Sequence, residues 1–250
     1  MGTDNKTILV TGASTGIGEA TVRLLQQSGF RVLATARREE RLSALSVETG
    51  CAFVAADLTS EIGISAVKQK VAEIGRIDGI VLAVGGALGL DSIATGNIND
   101  WQTMYERNVL APLRLIQEFL PDFIDRGGDI VFISSTAGHG TYPGGGGYVA
   151  AKHAERQIAA TLRLELVGKP VRVIDIAPGM VKTEEFSLNR FHGDKAAAEA
   201  VYAGVDEPLT PEDIAETIRW AISLPNHVNI DTLVVRPVAQ ASNTLVARKS

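Results

Sequence analysis

Short runs of apolar and β-branched residues alternate along the chain with longer stretches whose apolar positions recur every three or four residues. Thr7–Thr11, Arg31–Ala36, Ala52–Ala56, Ile80–Val84, Asp129–Ser134, Val171–Ile176 and Thr232–Val235 read as seven strands. Several are apolar at successive positions, as strands covered on both faces must be. Between them, Ile17–Ser28 puts Ile17, Ala20, Leu24 and Leu25 on one helical face, with Gly29 as its C-terminal cap. Ile62–Ile74 is amphipathic. A long helix opens at Asp100, with Pro112 and Pro121 as kinks or breaks, and another runs from about Tyr148 to Leu166. Thr210-Pro211-Glu212-Asp213 reads as an N-cap followed by proline in the first turn, starting a helix Glu212–Leu224. Strands alternating with helices predict an α/β fold: a doubly wound parallel sheet with right-handed crossovers and helices on both faces.

Composition narrows the function classes. The 250 residues are enough for one large domain, and no repeat, charge block or composition shift marks a second. A net charge of −5 without clustered Lys and Arg argues against nucleic acid as a partner. The single Cys51 excludes an internal disulfide framework, and with four scattered histidines it shows no metal-ligand spacing, so no metal is expected. The first residues lack the apolar core of a signal peptide, and Lys6 stands where a myristoylation signal needs Ser or Thr. Apolar runs stop short of a membrane span. These features predict a soluble cytoplasmic protein without a membrane partner.

Ligands of doubly wound sheets bind beyond the carboxyl ends of the strands, where the glycine-rich segments fall. Thr11-Gly12-Ala13-Ser14-Thr15-Gly16-Ile17-Gly18 joins the first strand to the first helix. Glycines there allow a tight turn and let a pyrophosphate approach the backbone and the helix N-terminus. The alternative is a glycine-rich turn that binds nothing. At the end of the second strand a carboxylate would bond an adenosine ribose 2′-hydroxyl, whereas an Arg accommodates a 2′-phosphate. The chain offers Ala36-Arg37-Arg38 and no acid, which favours NADP(H) over NAD. A solvated helix start would explain these arginines less well, because helix N-termini disfavour cations. Asp57 reads either as a partner of the adenine amino group or as a helix cap.

Tyr148 and Lys152 lie four residues apart on a helix and so share a face. A nearby ammonium favours phenolate and should lower the Tyr148 pKa toward neutrality, suiting it to proton transfer. A surface Tyr/Lys pair is the plain alternative. Ser134 and Ser135 end a strand just upstream, where a hydroxyl can project over the carboxyl edge of the sheet.

Through these residues together, the sequence resembles the short-chain dehydrogenase/reductase family over nearly its whole length. The matches are Thr11–Gly18, Asp57, Asn108, Ser135, Tyr148-x-x-x-Lys152 and Pro178-Gly179. The resemblance implies a single Rossmann-like domain and a homotetramer packed through the long helices after Asp100 and at Tyr148. It implies Tyr148 as general acid/base, and Lys152 as the group that tunes Tyr148 and holds the nicotinamide ribose. Ser135 would bond the reacting oxygen, and Asn108 would orient a relay water. Cofactor contacts would extend to Leu58, Gly85, Pro178, Gly179, Val181 and Thr183. One segment departs: the family's Asn-Asn-Ala-Gly stands here as Ala83-Val84-Gly85-Gly86, which removes amides that brace the sheet edge.

The C-terminal third is similar to the NADP-dependent 3-hydroxy acid (serine-type) dehydrogenases, in Thr183–Ser187, Arg190–Asp194, Leu209–Asp213, Leu224–Ile230 and Arg236–Gln240. That resemblance implies small 3-hydroxy acids such as serine, allo-threonine or 3-hydroxyisobutyrate. Such a substrate needs a cation: Arg190, in a substrate-covering segment around 183–208, is the candidate, with Lys182 as its rival and an Arg190–Asp194 pair as the plain reading. His139 reads as a surface residue and Gly144–Gly147 as a flexible approach to the catalytic helix. Two other functions stay open: a reductase of bulkier ketones or aldehydes, and a non-catalytic dinucleotide-binding regulator.

Overall fold

The computed structural model describes residues 6–249. Seven strands, β1 (Thr7–Thr11), β2 (Arg31–Ala36), β3 (Ala52–Ala55), β4 (Gly79–Leu82), β5 (Gly128–Ile133), β6 (Val171–Pro178) and β7 (Thr232–Val235), form one sheet in the order β3-β2-β1-β4-β5-β6-β7. Every neighbouring pair is parallel. Strand order reverses direction between β1 and β4, and the crevice that this opens at their carboxyl ends is where a ligand finds room.

The helices cover both faces because successive strand residues point to opposite sides. Ile8, Val10 and Val81 pack with Val22 and Leu25 of α1 (Gly16–Gln27), Leu42 of α2 (Glu39–Thr49) and Ile214 and Ile218 of the helix at 211–223. Leu9, Ile80 and Leu82 face the other way, against Val67 of α3 (Glu61–Ile74), Leu115 and Phe119 of the helix at 111–126, and Leu162 of the helix at 146–165. The α1 helix ends at Ser28 with Gly29 at φ +85°, as a left-handed cap requires.

The long helix expected from Asp100 is differently built. It opens at Ile98, capped by the Asn97 side chain on Asn99 N–H, and runs as α4 (Ile98–Tyr105) into a π-helical turn, Glu106–Leu110. α5 (Ala111–Arg126) follows without a break. Pro112 lies in its first turn, and Pro121 is carried inside it. The local insertion is the π turn, a form that concentrates at functional sites. α6 (Gly146–Glu165) starts within the glycine run, so Gly146 and Gly147 are helical rather than a flexible approach. The segment after β6 holds two short helices, α7 (Phe186–Arg190) and α8 (Lys195–Ala200), and α9 (Pro211–Ser223) has the expected Thr210 capping box.

On β6, Arg172 is buried and grips the Asp129 carboxylate with Nε–Oδ1 and Nη2–Oδ2 both 2.7 Å. It also donates to the carbonyls of Ala221, Ile222 and Leu224, closing the C-terminus of α9. No described helix is long and apolar enough to cross a membrane.

Candidate active site

Beyond the carboxyl ends of the strands lies a cavity of about 840 Å³. Its floor is the turn after β1. Gly12 has φ +64°, and a Cβ there would stand 2.6 Å from Ala83 O, so only glycine lets this turn close on the end of β4. A Cβ on Gly18 would meet Gly12 O at 2.4 Å, which holds α1 hard against the turn. Thr15 caps α1 without a side-chain bond to its first turn, and Ser14, Thr15, Gly16, Ile17 and Gly18 all line the cavity. The positive end of α1 therefore meets a glycine cradle that suits a pyrophosphate.

At the far end of β2, Arg37 is exposed on the cavity rim, with no hydrogen bond or ion pair among the described residues. Arg38 behaves differently. It stands at the N-cap of α2, bonds Ser14 Oγ at 2.9 Å and pairs with Glu185 at 2.5 Å. Arg41 pairs in turn with Glu184 at 3.0 Å and with Glu185 at 3.3 Å, so three ion pairs tie the segment after β6 to α2 and its N-cap. Asp57 lines the cavity, but its Oδ1 accepts from Thr59 N and Oγ1, and Ser60 is the cap of α3. Burial opposes its ionisation, yet the Thr59 bonds and the Arg37 and Arg107 charges hold its carboxyl below the ordinary value. Leu58 is buried beside it. Arg107 was not foreseen from the sequence. It sits on the π turn and lines the cavity, where burial and the charge of Arg37 press its pKa down.

At the other end, α6 packs closely on α4 because a Cβ on Gly147 would strike Met104 Cε at 2.4 Å. Tyr148 and Lys152 are both buried. Lys152 Nζ lies 5.9 Å from the Tyr148 ring centre and donates to Ile133 O at 3.0 Å and Glu155 Oε2 at 2.6 Å. The expected lowering of the phenol pKa is not what results: burial pushes Tyr148 up by more than the Lys152 charge and the neighbouring Ser135 hydroxyl pull it down. Burial works against the Lys152 ammonium, but the Glu155 carboxylate and Tyr148 outweigh it and raise the lysine. Glu155 also escaped the sequence reading, although Tyr148, Lys152 and Glu155 fall at i, i+4 and i+7 of one helix face.

Ser134 and Ser135 divide their work. Ser134 Oγ donates to Asp175 Oδ1 on β6. Ser135 Oγ accepts from Ala137 N and donates only a long 3.4 Å bond to Pro178 O, and it lines the cavity together with Tyr148. Asn108, fully buried in the π turn, donates to Met104 O at 2.7 Å and Gly86 O at 2.9 Å and accepts from Gly86 N at 3.1 Å. These bonds supply the brace that Ala83-Val84-Gly85-Gly86 lacks. Gly85 has φ +148°, and a Cβ there would lie 2.4 Å from Asn108 Oδ1.

Pro178, Gly179, Val181 and Thr183 also line the cavity. Gln240 closes behind Gly179, accepting from Met180 N at 2.8 Å, and Val181 pairs with Leu209. Arg190 comes to the site rather than to Asp194, which caps α8. Its guanidinium lies 6.0 Å from the Tyr148 ring, donates to Tyr142 Oη at 3.1 Å and Gly89 O at 3.2 Å, and meets no carboxylate among the described residues. Lys182 is exposed and off the cavity. His139 is not a surface residue: only 19% of its side chain is exposed, and Nε2 is 3.9 Å from Asp175 Oδ2. Tyr142, unremarked in the sequence, completes the wall around Arg190.

The family profile described as short chain dehydrogenase matches residues 6–190. The chain belongs to the short-chain dehydrogenase family. Serine 3-dehydrogenase of Rhizobium radiobacter is 42% identical over 241 residues, spanning 94% of this chain and 95% of the relative. NADP-dependent 3-hydroxy acid dehydrogenase YdfG of Shigella flexneri is 41% identical over 238 residues, 94% of this chain and 96% of the relative. A solved structure, the closed form of serine dehydrogenase complexed with NADP+, superposes with a TM-score of 0.90 at 39% identity over 98% of this chain and all of its own. This short-chain dehydrogenase is thus an oxidoreductase, and the non-catalytic regulator reading falls away.

Proposed function

We propose that this short-chain dehydrogenase interconverts a small 3-hydroxy acid and its 3-oxo counterpart with NADP(H). The observation that carries the substrate class is Arg190: a half-buried guanidinium beside Tyr148, in the cavity, with no acidic partner among the described residues. A charge in such a place calls for a counter-ion, and its planar fork suits a carboxylate. Serine-type substrates supply one, as the names of the two relatives suggest.

The cavity fits the dinucleotide. The Gly12–Gly18 cradle and the α1 N-terminus would hold the pyrophosphate, and Arg37 with Arg107 would meet a 2′-phosphate where β2 ends without an acid. Asp57 and Leu58 would border the adenine. Lys152 would hold the nicotinamide ribose, with Gly85, Pro178, Gly179, Val181 and Thr183 around the ring. When bound, the cofactor supplies or accepts the hydride. Ser135 orients the reacting oxygen, Tyr148 gives or takes its proton, and Arg190 with Tyr142 fixes which carbon faces the cofactor.

A substrate panel tests this. Serine, allo-threonine and 3-hydroxyisobutyrate should turn over in the parent, and Arg190→Ala should lower kcat/KM for them roughly tenfold or more while sparing an uncharged alcohol of similar size. Turnover of aromatic ketones alone would instead assign a bulkier-ketone reductase. The reading extends to a homotetramer in solution, for which exposed Leu164, Val167, Trp220 and Val238 offer apolar contact surface.

A further inference from the structure

Glu155 lies three residues after Lys152 and seven after Tyr148 on α6 and is 1% exposed. Its Oε2 accepts from Lys152 Nζ at 2.6 Å, while Oε1 is buried with no partner among the described residues. Asp175 of β6 is the next anion: Oδ1 takes the Ser134 hydroxyl, and Oδ2 is likewise orphaned, 3.9 Å from an orphaned His139 Nε2. The Lys152 ammonium is therefore already half of an ion pair. A neutral pair exerts a much weaker field on a neighbouring phenol than a lone ammonium, because the two charges oppose one another at that distance.

We propose that Glu155 is a positioning residue that adjusts the acidity of Tyr148 through Lys152: protonated, it leaves the ammonium to act on the phenol unopposed, and ionised, it weakens that action. The inference rests on the proton-transfer role given to Tyr148 above. The groups that govern Glu155 are few. Full burial resists its ionisation, Lys152 favours it, and Asp175 opposes it, so the carboxyl is pushed up to about 7. Asp175 faces Ser134, His139, Lys152 and Arg156, and burial raises it as well. His139 faces Arg156, Asp175, Arg236 and His153, and burial lowers its pKa, which disfavours a positive charge there. Glu155 thus changes state within the working pH range. Tyr148 should be the stronger proton donor below that point, and carbonyl reduction should slow as pH rises through it. With a Brønsted response, the slowing is about threefold for each unit by which the phenol weakens.

Two measurements test this. Infrared difference spectra of the cofactor-free protein should show a protonated carboxyl band that fades as pH rises through about 7 and is missing in Glu155→Gln. In the full enzyme, the parent's rate of reducing any carbonyl it accepts should have a limb near that pH. Glu155→Gln should hold the low-pH rate through it, and Glu155→Asp should restore the limb. A purely structural Glu155 would lower the rate at every pH and leave the limb in place. That result, or the absence of the infrared band in the parent, would overturn the proposal. Should Glu155→Gln not fold, carboxyl-labelled glutamate in the parent gives the same titration, and a glutamate set that titrates wholly below about pH 5 would overturn it equally. None of these readings needs a 3-hydroxy acid, so a wrong substrate class and a wrong role for Glu155 fail separately.

Discussion

A phenol shut away from water gives up its proton reluctantly, and Tyr148 is such a phenol. In the proton transfer proposed above, its usefulness would rest on groups that act at the moment of transfer: the Lys152 ammonium, the Ser135 hydroxyl and the bound substrate oxygen. Tyr148→Phe keeps the ring and its edge contact with Phe186 but loses the proton. Turnover should fall by roughly 10²–10⁴-fold, while nicotinamide fluorescence shows cofactor binding within about twofold of the parent. At the opposite end of the cavity, the 2′-phosphate task proposed above falls to two guanidiniums. Arg37→Ala and Arg107→Ala should each weaken NADP binding by about 1.5–3 kcal/mol, roughly ten- to hundredfold, and leave NAD binding nearly unchanged. Equal losses for both cofactors in a titration would remove the 2′-phosphate assignment. Arg38 belongs to a different class, since Ser14 and Glu185 already occupy its donors.

Elements decide how these side chains meet, and here the sequence was only partly legible. The strands could be read because double burial leaves apolar runs, and the paired registers bear out the parallel sheet. α2 left little trace because only Leu42 and Leu45 of its length are buried. The π turn has no periodicity of its own, so the sequence reads as a long helix from Asp100 interrupted only at Pro112 and Pro121, and Arg107 does not stand out in it. Tyr148, Lys152 and Ser135 stood out through spacing on one helix and one strand end. Glu155, Asp175 and His139 did not, because β6, α6 and the loop after β5 come together only in three dimensions. The same long-range dependence fixes α9, whose last carbonyls rest on Arg172. Arg172→Met strips that support and deprives buried Asp129 of its bidentate partner. Urea unfolding should show a loss of about 3–5 kcal/mol. Activity per folded molecule should remain, since Arg172 does not line the cavity.

At the scale of the molecule, buried carboxyls make stability depend on pH. Glu155 is raised from 4.5 to about 7 by burial, and Asp175 is raised too. A carboxyl raised on folding contributes its full stability below its unfolded pKa and loses it as pH climbs through the folded value. The melting temperature should therefore decline between pH 4.5 and about 7, and Glu155→Gln should gain on the parent across that window. A constant difference between the two melting curves would show that Glu155 does not titrate there. The segment after β6 supplies the other whole-molecule property. It lines the cavity and is tied down by Arg38–Glu185, Arg41–Glu185 and Arg41–Glu184, the last of these exposed. Parting of those charges would loosen the segment, and opening of covers over active sites is a common slow step in enzymes. Salt weakens exposed pairs of this kind, so kcat should rise with moderate ionic strength, and Glu184→Gln should mimic the effect at low salt. A kcat that rises with salt would make catalytic tempo answer to the ions of the surroundings: the medium would set how long each product lingers, with the proton transfer proposed for Tyr148 left unchanged.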